Sequence, residues 1–107
     1  MAAIPENIMA AVAQYIAALS NGIAVDKVIL FGSYAKDAYH KDSDIDIAVF
    51  SRDFAEETKI DDMAYLLMKT SGLGLDIQPQ AFTLEDYEAP DGFVEEILKT
   101  GVELQVA

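Results

Sequence analysis

The chain has 107 residues, 52% hydrophobic and 9% aromatic, enough to bury one core but not two, which argues against disorder. It has no cysteine, which excludes a disulfide framework and a thiolate metal site. The 7 basic and 19 acidic side chains give a net charge of −12, which opposes stable nucleic-acid binding and favours a basic protein partner.

A charge of that sign also means that an anionic ligand needs cations to accompany it, although solubility alone is the simpler reading of the total. The N-terminus lacks a basic segment followed by an apolar one, and no apolar run is long enough to span a bilayer. A single cytoplasmic domain over 1–107 is therefore expected, with no membrane contact and with oligomers left open.

Pro5 suits the start of a helix, and Ile8, Val12, Tyr15, Ile16 and Leu19 then recur on one helical face up to Ser20-Asn21-Gly22. Residues 25–31 are β-branched and apolar and predict a buried strand, broken by Gly32-Ser33. A short helical turn is expected over 34–37, a polar loop over 39–43 and a second strand over 45–50. A long helix follows over roughly 55–71, with Ile60, Met63, Ala64, Leu67 and Met68 on its apolar face and Gly72 at its C-terminus.

A third strand is predicted over 73–82, at an edge or bulge because of Pro79. Thr83 to Asp86 resembles a capping box that opens a short helix. Pro90-Asp91-Gly92 leads into a last helix over 92–100, stopped by Gly101, and Val102, Leu104 and Val106 alternate as a final strand. The order predicts an α/β (α+β) domain with one small mixed sheet and helices mainly on one face.

The chemistry lies in two neighbouring segments. Residues 28–36 read Val-Ile-Leu-Phe-Gly-Ser-Tyr-Ala-Lys, and 42–49 read Asp-Ser-Asp-Ile-Asp-Ile-Ala-Val. In a strand, Asp44 and Asp46 project to one side, roughly 6.5–7 Å apart along the chain. Two such carboxylates can converge on magnesium, which takes hard oxygen ligands and fills its octahedron with phosphates and water. Asp76, between Leu75 and Ile77, is the candidate for a third carboxylate from the neighbouring strand.

Gly32 permits a sharp bend and close approach to an anion, and Ser33 adds a hydroxyl and an N–H. Lys36 is either a phosphate contact or a solvated lysine. Tyr34 either flanks a nucleotide or packs on the turn. His40, Lys41 and Arg52 read as surface residues. A lone Gly-Ser is merely a turn and a lone Asp-x-Asp a solvated strand end; their combination in this order is what carries the functional reading.

Gly32-Ser33-Tyr34-Ala35-Lys36 with Ser43-Asp44-Ile45-Asp46-Ile47 resembles the signature of the minimal nucleotidyltransferases, of the DNA polymerase β-like superfamily. The resemblance extends over nearly the whole chain, to an ending such as residues 93–102. It implies the nucleotidyltransferase fold, ATP as substrate and two Mg²⁺ ions. It casts Asp44, Asp46 and Asp76 as catalytic metal ligands, and Gly32, Ser33 and Lys36 as the phosphate site. One departure is Asp37, where the family often has glycine; its charge would weaken triphosphate binding.

Many such domains are paired with a HEPN-domain protein, an RNase toxin that the nucleotidyltransferase can silence by transferring AMP to a tyrosine. The resemblance thus implies an enzyme that modifies a partner protein. The alternative is an acidic antitoxin that neutralises its partner by contact alone. Transfer to RNA or an antibiotic fits less well, because neither a basic surface nor an added substrate domain is present.

Overall fold

A computed structural model of the chain describes residues 4–36, 38–40 and 43–106. Helix α1 (Glu6–Leu19) begins after Pro5 and buries Ile8, Val12, Tyr15, Ile16 and Leu19, the five positions that the sequence periodicity selects. Strand β1 (Lys27–Phe31) leads through the Gly32 turn to β2 (Ile45–Ser51). A 3₁₀ turn (Glu56–Thr58) and α2 (Lys59–Met68) precede β3 (Ile77–Thr83), and α3 (Leu84–Glu88), α4 (Gly92–Thr100) and β4 (Val102–Leu104) complete the order.

The four strands form one mixed sheet in the order β3-β2-β1-β4. β2 and β3 are parallel, while β1 is antiparallel to both β2 and β4. Pro79 lies on the outermost strand, where its missing N–H leaves no ladder bond unmade on the solvent side. β3 starts later than residue 73 because Gly72 (φ +82°) and Gly74 (φ +74°) hold the preceding segment in turns. The capping box forms as expected: Asp86 N–H donates to Thr83 Oγ1 at 3.1 Å and Thr83 N–H to Asp86 Oδ2 at 3.0 Å.

Alternation along the strands divides the interior in two. Val28, Leu30, Ile45, Ile47, Val49, Ile77 and Ala81 face α1 and α2 and build the larger core. Ile29, Ala48 and Phe50 face the other way and pack with Val94 and Ile97 of α4 in a smaller one. The second sheet face is thus covered at Ala48 and Phe50. Phe50 stacks on Phe82 at 5.2 Å and meets Tyr87 edge-on at 5.5 Å.

α2 departs most from the sequence reading. It is shorter than 55–71, and the residues it buries are Asp62 and Leu66, with Met63 and Tyr65 half-buried. Ile60, Ala64, Leu67 and Met68, expected in the core, are exposed. The rotation has a polar cause: Asp62 Oδ2 accepts from Ala55 N–H at 3.1 Å and from Thr58 Oγ1 at 2.9 Å, fixing the inward face one residue away from the apolar stripe.

Two tyrosines lock α1 to α2 reciprocally. Tyr15, fully buried, donates from its hydroxyl to Leu66 O at 2.7 Å, and Tyr65 donates to Leu19 O at 2.8 Å. Burial, and secondarily the nearby Tyr65, raise the Tyr15 hydroxyl well above the ordinary tyrosine range, so it remains a donor. Loss of a buried donor costs roughly 1–2 kcal/mol. Tyr15→Phe is accordingly expected to lower Tm by about 5–10 °C in a thermal melt followed by circular dichroism, and an unchanged Tm would show that this bond adds nothing.

Candidate active site

The parallel β2–β3 ladder sets the geometry. Its first pair is Ile45 with Ile77, so the residues just before the two strands, Asp44 and Asp76, are brought side by side. Ile45 N–H donates to the Asp76 carbonyl at 2.8 Å and continues the ladder one step further. The two carboxyls are close enough to share a proton, and that interaction, followed by the Asp76 charge, holds Asp44 above the ordinary carboxylate range. Asp76 is held below it, first by the same interaction and then by Gln78, whose Nε2 donates to Asp76 Oδ1 at 2.7 Å.

Asp46 stands one step inside β2, opposite Phe31 of β1 and Gln78 of β3. Burial raises its carboxyl first, and the charges of Asp44 and Asp76 add to that. Its carboxylate is turned toward Gly32: a Cβ on Gly32 would lie 2.2 Å from Asp46 Oδ2 and 3.3 Å from Asp46 Cβ. Gly32 also has φ +75°, so both the backbone conformation and the space require glycine. The turn and the inner carboxylate are in direct contact.

The structure therefore joins Asp44 to Asp76 and sets Asp46 beside them, within electrostatic reach but aimed at the turn. Among the described residues, no three Asp, Glu or His side chains are gathered tightly enough to grip an ion as they stand. Asp44 also lies just ahead of β2 rather than within it. Residues 32–36 close as a turn, with Lys36 N–H donating to Gly32 O at 3.1 Å, the i to i+4 spacing of a single helical turn, and Ala38 N–H donates to Ser33 O at 2.9 Å; Asp37, the last residue of the expected turn, lies outside the described residues.

Ser33 is half-buried and Lys36 exposed. Tyr34 is buried and stacks on Tyr39 at 4.6 Å, so it packs the turn onto the core. His40 is exposed; its N–H bonds to Ser43 Oγ at 2.8 Å. Arg52 is exposed and paired with Asp26 at 2.6 Å. Asp37 and Lys41 lie outside the described residues.

Beside Asp76 lies a groove of about 670 Å³, bordered by Tyr34, Tyr39, His40 and Ser43. Sequence reasoning missed Gln78; its place two residues after Asp76 on an edge strand was the available signal.

The chain matches the family described as "Polymerase beta, Nucleotidyltransferase" over residues 14–106. It belongs to that family. The match spans the turn, all three aspartates and the entire sheet. The family supports a general role in nucleotidyl transfer and makes the chain a transferase.

A crystal structure of a candidate nucleotidyltransferase from Sulfolobus solfataricus shares the fold, with a TM-score of 0.70 at 18% identity over 91% of this chain and 80% of that one. No curated protein matches the chain. Among the described residues, no helix is long and apolar enough to cross a membrane.

The raised Asp46 carboxyl has a measurable consequence. The folded chain holds that proton more tightly than the unfolded chain does, so ionisation of Asp46 destabilises the fold as pH rises through the raised range. Asp46→Asn is expected to raise Tm at pH 7 by about 2–4 °C, a small gain because solvent screens the site. The gain should close below about pH 3.8, where both side chains are neutral. A variant that melts lower than the parent at pH 7 would contradict this.

Gly32→Ala should act oppositely, costing roughly 1–2 kcal/mol in denaturant unfolding through its left-handed backbone and the displaced Asp46. Unfolding indistinguishable from the parent would refute the contact.

Proposed function

We propose that the chain transfers AMP from ATP to a hydroxyl of a partner protein, as the antitoxin of a HEPN-domain toxin in the cytoplasm. The observation that carries this reading is the meeting of Asp44 and Asp76, with Asp46 beside them, against the Gly32 turn in a nucleotidyltransferase-family domain. Asp44, held up by its contact with Asp76, and Asp46, held up by burial and then by its acidic neighbours, make with Asp76 a hard-oxygen site poor in positive charge, which suits divalent magnesium. Asp44, Asp46 and Asp76 would hold two Mg²⁺ ions, which when bound neutralise the phosphates and make the acceptor hydroxyl more acidic.

The chain's own groups position the reactants. The Gly32-Ser33 turn receives the terminal phosphates, with Ser33 donating and Lys36 free to swing onto them from its exposed position. Gln78 orients Asp76 by donating to Oδ1, leaving Oδ2 for the acceptor side. The acceptor oxygen attacks the α-phosphorus in line, the bond to the β-phosphate oxygen breaks, pyrophosphate leaves, and Asp76 takes the hydroxyl proton. As in other phosphoryl chemistry, the protein contributes placement and charge control more than covalent steps.

The net charge of −12 supports a basic protein as acceptor rather than a polyanion. The test uses ATP labelled at the α-phosphate, magnesium and a purified HEPN-domain partner. Label is expected on a partner tyrosine, lost in EDTA and reduced at least ~100-fold in Asp44→Asn, with the variant still folded. Labelling that survives either change would overturn the assignment. A tight complex without label would instead favour neutralisation by contact.

A further inference from the structure

The outer face of α2 carries an apolar stripe that the fold leaves uncovered. Ile60 is 85% exposed, Leu67 51% and Met68 63%, and exposed Ala64 lies between them at helical spacing. These residues repeat at the period of a buried face, yet Asp62 turns a different side of the helix inward. A clustered patch of this kind on a small domain marks a contact surface more often than chance exposure.

Its electrostatic setting selects the occupant. Ile60 lines a shallow groove of about 440 Å³ together with Glu56, Glu57, Thr58, Lys59 and Asp61. Glu56, Glu57 and Asp61 are exposed, and the ion pairs among the described residues, Lys27–Glu103 and Arg52–Asp26, do not involve them. Both lysines of this region are engaged on the chain's own surfaces. Lys59 donates to the Ala81 carbonyl and lies 4.8 Å over the Phe82 ring, while Lys69 lies 5.5 Å over the Tyr65 ring. The stripe is left with an acidic border and no cation committed to neutralising it.

We infer that this face docks a cationic amphipathic helix of a partner protein, apolar residues on the stripe and Lys or Arg against Glu56, Glu57 and Asp61. A second copy of this chain would bring like charge to like charge at a net −12 each, and an anionic membrane or a nucleic acid would meet the same repulsion. Helix-in-groove recognition anchored at i, i+4 and i+7 matches Ile60, Ala64 and Leu67. The inference shares a basic partner with the transfer reading but needs neither ATP nor the aspartates, so a binding assay without nucleotide tests it separately.

The probe is a synthetic helical peptide of about 14 residues, leucines along one face and lysines along the other, compared with a peptide of the same composition in scrambled order. The intact chain is expected to bind the amphipathic peptide at least about tenfold more tightly than the scrambled one. Ile60→Ser with Leu67→Ser should abolish that preference. Amide NMR shift changes in the unaltered chain, which require no variant to fold, should cluster within residues 56–71.

Equal binding of the two peptides, an unaffected double variant, or shift changes centred elsewhere would each overturn the inference. So would self-association of the chain through the same residues, detected by sedimentation.

Discussion

The parallel pairing of β2 with β3 is the constraint on which the rest depends. A ladder that begins at Ile45 and Ile77 necessarily places Asp44 against Asp76 and Asp46 against Gln78. A register slipped by one residue would send Ile45, Ile47 and Val49 out of the larger core, so hydrophobic burial itself fixes the position of the carboxylates. The site therefore needs no dedicated stabilising device at its mouth. It is held from behind, by the burial of Ile45, Ile47, Val49 and Ile77.

At that mouth the chain accepts a local penalty. Asp44 and Asp76 meet with Asp46 beside them, two carboxyls are pushed above their ordinary range, and a glycine is kept at positive φ where Asp46 approaches the turn. None of this serves the fold of the isolated domain. Under the proposed function it would serve a ligand that brings positive charge and phosphate together. The same logic of incompleteness applies to α2, where an apolar stripe with an acidic border remains on the surface while Asp62 takes the inward position.

Much of this was legible in the sequence because single interactions dominated. The α1 face followed from strict periodicity, the capping box from Thr83 and Asp86, the edge position of β3 from Pro79, and the Asp44, Asp46 and Asp76 neighbourhood from strand order. The misreadings occurred where two signals competed. In α2 an apolar period lost to a buried aspartate that caps the preceding turn, which hydropathy cannot weigh.

At the far face, Ala48 and Phe50 proved to be a second core because α4 folds back over them, a long-range event that strand alternation does not encode. Likewise, the Asp46 carboxylate lies against Gly32, a contact that no spacing rule reports.

The central claim is that the carboxylate edge and the glycine turn act together on a cation-bound triphosphate. Isothermal titration of ATP into the chain, once with magnesium and once with EDTA, addresses it directly. The account predicts saturable heat of binding with magnesium and none with EDTA, since the unescorted phosphates would face Asp44, Asp46 and Asp76 unscreened. Equal affinity in EDTA, or no binding in magnesium, would contradict it.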